Sequence, residues 1–468
     1  MVFSSVTFLY YFLPVVLAVY FITPMPKGSP RLRNIVLLVA SLVFYAWGEP
    51  VYVLLFAAQC VAAWGFGLLI DKHRGKAVSR ILTGISVAIT LSALLLFKYA
   101  DFFLGNIGAA IRQDIGLLGL ALPIGISFYT FQILSYTFDL YRGKTEVNRN
   151  VLDFSTFVAM FPQLIAGPIV RYSDVAERLL QREHRIQDIA LGIRRFIIGL
   201  GKKVLIANVM GGIVAIYKSG SENSALFTWF YVIAFCLQLY FDFSGYSDMA
   251  IGMGCILGFR FLENFNYPYI AKSITDFWRR WHISLSTWFR DYVYFPLGGS
   301  RVPVFRSIFN ILLVWFLIGF WHGADWNFIV WGLYFAVLLL AEKFFLSKLL
   351  EKIPSVLRHI YVILLVLIGR VFFDASDMAA AGSVFSRMFG FGSDGAFGPV
   401  SLYYLRSYLV PLIIGLVGCT PIPKILLSKL SDKKAFTIIE PLAIGALLVV
   451  ITAFLVDGSF NPFIYFRF

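Results

Sequence analysis

Two histidines stand in surroundings where an imidazole could do chemistry. His322 lies in Phe320-Trp321-His322-Gly323-Ala324-Asp325-Trp326, between the apolar runs Ile308 to Trp321 and Phe328 to Leu340. His282 lies in Phe277-Trp278-Arg279-Arg280-Trp281-His282-Ile283-Ser284. The chain has five histidines, and these two have the most aromatic neighbours. An ionisable group inside an apolar segment is costly in lipid, so it usually faces a protein cavity. An imidazole held there can take a proton from a hydroxyl near neutral pH. The plain alternatives are a His322 bonded to a backbone carbonyl beside the break at Gly323, and a His282 that is incidental to an interfacial aromatic belt.

The segment Ser273 to Arg290 reads as one helix with Ser273, three residues before Asp276, as its cap. Trp278, Trp281, His282, Leu285 and Trp288 recur at three- and four-residue spacing and share a face. Arg279, Arg280, Ser284, Thr287 and Arg290 fall mostly on the other. The flanking turns, Asn264-Phe265-Asn266-Tyr267-Pro268 and Pro296-Leu297-Gly298-Gly299, break helices. Irregular backbone at membrane depth is tolerated only where it lines a protein or water-filled cavity. His322 follows Arg306 by sixteen residues, about 24 Å along a helix at about 1.5 Å per residue. A site reached from a basic inner face follows from that distance.

Other polar groups also sit in oil. Tyr129, Gln132, Tyr136 and Asp139 share a helix face, and Asp242 and Asp248 close the long run that starts at Leu226. They could line a substrate path or simply bond neighbouring helices. The final stretch, Asn461 to Phe468, is aromatic enough to dock into protein or an interface, and Tyr465 carries its one hydroxyl.

The elements that must position these groups are membrane helices. Of 468 residues, 59% are hydrophobic and 14% charged, and mean hydropathy is +0.79. A soluble domain carries roughly 25% charged residues, so the fold class is an all-α polytopic membrane protein. The net charge of +14 reflects basic connectors under the positive-inside rule, not nucleic-acid binding. Keeping those connectors on one side gives about eleven or twelve spans with both chain ends outward. Val6 to Ile22 reads as a first retained span. Gly48-Glu49-Pro50 turns a hairpin, and the run between Arg149 and Arg171, broken by Pro162 and Gly167-Pro168, dips in and returns. The loop Asp374 to Ser401 holds a short interfacial helix, Asp377 to Phe389, with Ser376 as cap and Gly390 as stop. Cys60, Cys236, Cys255 and Cys419 lie in or beside apolar segments without a CxxC pair, so neither a disulfide nor a zinc site is expected, nor any other metal. No repeat or separate soluble domain is evident. Residues 1–468 form a single membrane domain, with a core over about 120–342 and C-terminal spans and tail over 355–468.

Several stretches together resemble the membrane-bound O-acyltransferase family, in the branch typified by the membrane subunit of alginate O-acetylation. They are Leu122 to Gln132 (LPIGISFYTFQ), Phe161 to Tyr172 (FPQLIAGPIVRY), Asp242 to Ile251 (DFSGYSDMAI), Asn264 to Ser300 with its WRRWHISLSTWFRDY core, Gly319 to Trp326 (GFWHGADW), Val371-Phe372-Phe373 and the terminal FIYFRF. The resemblance implies a helical ring with a funnel toward the histidines. It implies His322 as catalytic base, His282 as its companion and no bound cofactor. Asp276, Trp278, Arg279, Arg280, Trp281, Trp321, Asp242, Asp248, Tyr129 and Gln132 become supporting or substrate-binding candidates. The implied donor is acetyl-CoA, its phosphates meeting the basic rim. The implied acceptor is a surface polysaccharide, such as alginate, peptidoglycan or another exopolymer, reached through an SGNH-type partner outside the bacterial inner membrane. Tyr465 is an attractive acyl relay across that membrane. D-alanyl transfer from a carrier protein to teichoic acid is the alternative within the class. A glycan or lipid transporter and a non-catalytic scaffold are the alternatives outside it.

Overall fold

The computed structural model describes residues 1–220, 222–392, 395–431, 435–458 and 463. Among them every regular element is helical. This is the form in which an isolated segment satisfies its own backbone in hydrocarbon. Among the described residues nine helices are long and apolar enough to cross a membrane, and ten if the bent pair Pro399–Ser407 and Leu409–Gly418 is one span. Phe8–Ile22 is apolar but shorter; adding it to the ten makes eleven. The chain is a multi-pass membrane protein. The spans differ in what surrounds them. Ala225–Ile256 has 78% of its most apolar window buried within the protein, whereas Phe436–Asp457 has 6%. The second therefore turns Leu442, Val449 and Phe454 outward, toward what must be lipid.

The chain forms two compact units. One comprises residues 1–196 and 246–262; the other comprises the described residues of 197–245 and 263–463. In the first, helices Arg31–Gly48 and Tyr52–Lys72 flank the expected turn. Ile126–Tyr141 is buried along nearly its whole length. Helices Val151–Ala159 and Phe161–Leu164 meet at Met160. The chain from Asp153 to Val170 is buried apart from Ser155, as a segment dipping into protein requires. Gly125 opens Ile126–Tyr141 at a φ of +79°, and a Cβ there would stand 2.9 Å from the Leu164 carbonyl oxygen, so this turn needs glycine.

Polar side chains pin the first unit. Asn34 donates to Asp153 Oδ1 at 2.8 Å and to the Leu179 carbonyl at 2.9 Å, and accepts from Arg182. Tyr20 donates to the Leu257 carbonyl and lies 2.9 Å from His184 Nε2. The tyrosine's one proton is used on Leu257, so His184 Nε2–H is the donor. Its bare Nδ1 then faces Arg33 Nη1 at 3.4 Å. Burial first, then Arg33 and Arg182, push the imidazole down to about 4. With the folded value below the usual one near 6.5, the unfolded chain binds the extra proton between those values, so this contribution is lost as pH falls from about 6.5 toward 4. Melting of His184→Gln in detergent, from pH 7.5 to 4.5, is expected to lose part of the wild-type chain's acid sensitivity. Parallel curves would exclude His184 as its source.

Candidate active site

His282 and His322 both belong to the second unit. Ser273 Oγ accepts from the Asp276 amide at 3.0 Å, the expected cap. A second anchor was not foreseen. The Glu342 carboxylate accepts from the amides of Ile274 at 2.6 Å and Thr275 at 2.8 Å and from Thr275 Oγ1 at 2.7 Å. A carboxylate suits the positive end of a helix, and this one ties Ile274–Arg280 to the end of Trp326–Ala341.

The single helix expected over Ser273 to Arg290 does not form. It breaks into Ile274–Arg280 and Ile283–Phe289, with His282 between them at φ +45° and ψ +55°. Neither glycine nor proline marks the break, and a left-handed residue with a side chain costs about 1–2 kcal/mol. Asn264, far back in the chain, offsets that cost. Its Oδ1 accepts from the Ser284 amide at 3.3 Å and Ser284 Oγ at 2.9 Å, while its carbonyl accepts from the Ile283 amide at 3.0 Å. These bonds occupy groups that the second helix's first turn leaves open. The one-face periodicity of Trp278, Trp281, His282, Leu285 and Trp288 therefore does not describe the segment.

The same Asn264 Oδ1 lies 3.1 Å from His282 Nδ1. An amide oxygen only accepts, so Nδ1 carries the ring proton and Nε2 is the bare nitrogen. Nε2 is buried and makes no hydrogen bond to any described residue. The residue is 1% exposed, and burial pushes the imidazole down to about 3, which keeps it neutral in ordinary buffers. The Phe243 ring stands edge-on at 4.6 Å.

His322 ends the helix Val304–His322, as the sequence implies, and is 3% exposed. Its ring meets Trp321 at 4.9 Å, Trp331 at 5.0 Å and Phe373 at 5.3 Å, all edge-on. Trp321 also lies 6.1 Å from the His282 ring, so the two imidazoles share one indole neighbour. Trp278 extends this wall through Trp315, Trp331 and Phe335. Past His322 the chain is held by Asp325 Oδ1, which accepts from the Trp326 amide at 2.5 Å, and by Asn327, which donates to the Ala375 carbonyl at 2.7 Å.

The other candidates are dispersed. Trp281 is buried beside His282, whereas Arg279 is exposed. Arg280 binds Asp276 at 2.8 Å and reaches the Asn266 carbonyl at 3.3 Å. Asp242 forms a buried ion pair with Lys203 at 2.5 Å, and the Phe463 ring lies 4.5 Å from that ammonium. Tyr129 and Gln132 lie buried in the first unit, which also holds the half-buried Asp248, paired to Arg195 at 2.9 Å. Tyr465 lies outside the described residues. In the loop helix, Met378–Met388, the cap is Asp377 in place of Ser376, whose hydroxyl donates to Asp377 instead. Sequence reasoning missed Asn264 and Arg370. The first was legible only as a turn former; the second is the one cation in the apolar stretch 360–373 of the helix Ser355–Asp374.

Two buried imidazoles, one at a helix break and one at a helix end, stand in a multi-span helical protein as its candidate acid–base groups. A family model described as the membrane-bound O-acyltransferase family matches residues 146–365. A probable alginate O-acetylase of Azotobacter vinelandii is 44% identical over 398 residues, covering 84% of this chain and 79% of that one. A peptidoglycan O-acetyltransferase of Helicobacter pylori is 34% identical over 421 residues, 83% of this chain and 80% of that one. A teichoic acid D-alanyltransferase of Bacillus subtilis is 32% identical over 233 residues, 47% of this chain and 59% of that one. The chain belongs to the membrane-bound O-acyltransferase family and is an acyltransferase. If the His282 orientation matters to its turnover, Asn264→Leu is expected to slow acyl transfer by up to about 10²-fold, the cost of a misplaced reacting group. Ser284→Ala, which leaves the Nδ1 contact intact, is expected to slow it far less. Equal rates for the two variants, measured on purified protein, would contradict this.

Proposed function

We propose that the protein carries an acetyl group from cytoplasmic acetyl-CoA toward a polysaccharide outside a bacterial inner membrane, with His322 as general base. The observation that carries this reading is the pair of buried imidazoles packed on one indole in a chain of acyltransferase ancestry. The names of the alginate and peptidoglycan relatives, which align over most of this chain, favour acetyl transfer to a glycan over D-alanyl transfer.

In the proposed step, an acceptor hydroxyl oxygen attacks the thioester carbonyl carbon while His322 takes the hydroxyl proton. The tetrahedral intermediate collapses, the C–S bond breaks, and the departing thiolate recovers a proton from the imidazolium. His282, with Nδ1–H committed to Asn264, offers its bare Nε2 to orient the hydroxyl. Trp278, Trp281 and Trp321 exclude water. Arg279 and Arg280 are suited to donor phosphates near the basic face. Asp242, Asp248, Tyr129 and Gln132 are candidates for the path.

The acceptor proposed for the first transfer is the Tyr465 phenol, which would hand the acetyl to an SGNH-type partner. Purified protein incubated with radiolabelled acetyl-CoA is expected to release CoA and carry label on Tyr465, located by mass spectrometry. Tyr465→Phe is expected to lose both label and transfer. Full transfer by Tyr465→Phe would remove the relay. Failure of acetyl-CoA to be consumed by the wild-type chain and its partner would remove the donor assignment.

A further inference from the structure

Arg370 is a charge in the interior of the second unit that has no ionic partner among the described residues. It lies in the span Ser355–Asp374 and is 2% exposed. A guanidinium does not shed its proton in a protein, and an uncompensated buried charge is expensive. No carboxylate among the described residues forms an ion pair with it. Asp374, one turn further on, is engaged with Lys218 at 2.7 Å and Tyr231 at 2.5 Å. Cys236 makes a side-chain hydrogen bond with Arg370, but buried Nε and Nη2 make none to the described residues. These two nitrogens donate in parallel from one edge of the fork.

Its surroundings place it beside the histidines. The guanidinium carbon stacks 4.2 Å from the centre of the Trp281 ring and 5.8 Å from that of Phe373. Trp281 immediately precedes His282, and the Phe373 ring is 5.3 Å from His322. The cation thus rests on the residue that precedes His282 in the chain and lies near the Phe373 ring that packs on His322. Cation–π contact with Trp281 offsets part of the burial cost and fixes the plane of the fork. Nε and Nη2 then remain as donors suited to an anion.

We propose that Arg370 binds the oxyanion of the acyl-transfer step. As the acceptor oxygen bonds to the thioester carbon, the carbonyl π pair moves onto its oxygen, and Nε–H and Nη2–H receive that negative charge. When the C–S bond breaks the pair returns, the carbonyl reforms, and the sulfur leaves as thiolate to be protonated from His322. Donors aimed at charge that exists only in the transition state raise kcat and leave substrate binding largely unchanged. The alternative role, a grip on a donor phosphate, would raise KM instead.

This inference rests on the proposed reading of His322, and the test separates the two. Acetyl-CoA and the short thioester S-acetyl-N-acetylcysteamine, which has no phosphate, are compared as donors for purified wild-type protein, Arg370→Met, Arg370→Lys and His322→Ala. Arg370→Met is expected to lose about 10²–10³-fold in kcat with both donors, with little change in KM. Arg370→Lys, which keeps the charge but not the parallel donors, is expected to fall between. Added guanidinium is expected to restore part of the rate of Arg370→Ala. A kcat within threefold of wild type in Arg370→Met, or a loss confined to KM for acetyl-CoA, overturns the assignment. If Arg370→Met does not fold, a wild-type kcat in Arg370→Lys, or no guanidinium rescue, overturns it as well. An active His322→Ala defeats the underlying reading, whereas an inactive His322→Ala beside a fully active Arg370→Met defeats only the role of Arg370.

Discussion

His322→Ala is expected to transfer acetyl about 10²–10⁴-fold more slowly than the wild-type chain, the range a positioned proton acceptor contributes. The loss should fall on kcat. The side chain ends a helix and packs edge-on among Trp321, Trp331 and Phe373, and its proposed role is to take the acceptor's proton rather than to grip the bulk of a donor. His322→Gln keeps polarity and approximate volume but removes the basic nitrogen. It should therefore be as slow as His322→Ala while melting closer to wild type. A His322→Gln enzyme with wild-type kcat would show that no proton passes through this position.

The largest expected loss of stability follows from the contact that positions His322. Helices Val304–His322 and Trp326–Ala341 approach through Gly319 and Gly332. A Cβ on Gly332 would stand 2.3 Å from the Trp315 carbonyl oxygen, and one on Gly319 would stand 2.4 Å from that of Phe328. The obstruction is backbone, which cannot swing aside as a side chain end can. Small residues permit such close approach between membrane helices, where packing replaces the hydrophobic drive available in water. Gly332→Val is expected to cost about 3 kcal/mol or more, seen as loss of monodisperse protein and a collapsed melting transition. Gly445→Val in Phe436–Asp457 is the control, because a Cβ there meets nothing within 4 Å. Equal behaviour of the two variants would contradict the close packing of the pair.

Much of this arrangement is legible along the chain. The apolar runs give the helices, Gly323 marks the end of the helix carrying His322, and Ser273 caps where its spacing to Asp276 predicts. The rarity of histidine in oil singles out the pair before any coordinates exist. What is hidden is contact across sequence. The break at His282 has no glycine or proline to announce it; it exists because Asn264 supplies acceptors for Ile283 and Ser284. Periodicity reports the face a continuous helix would present, and cannot report that a distant loop has capped it midway. The Glu342 anchor on Ile274 and Thr275 escapes for the same reason. Arg370 is visible as an oddity in an apolar run, but its place over Trp281 depends on helix packing. Asp242 is equally conspicuous in sequence, and only its 2.5 Å contact with Lys203 reveals its ion pair.

The most direct test is a single turnover in lipid nanodiscs, with protein in excess over radiolabelled acetyl-CoA and the rate of thioester cleavage followed in wild-type and His322→Ala chains side by side. Rapid loss of the thioester in the wild type, with labelled acetyl appearing on an oxygen acceptor, and a thioester that persists about 10²–10⁴-fold longer in the variant are the predicted results. Equal rates of cleavage and equal transfer in the two chains would contradict the account.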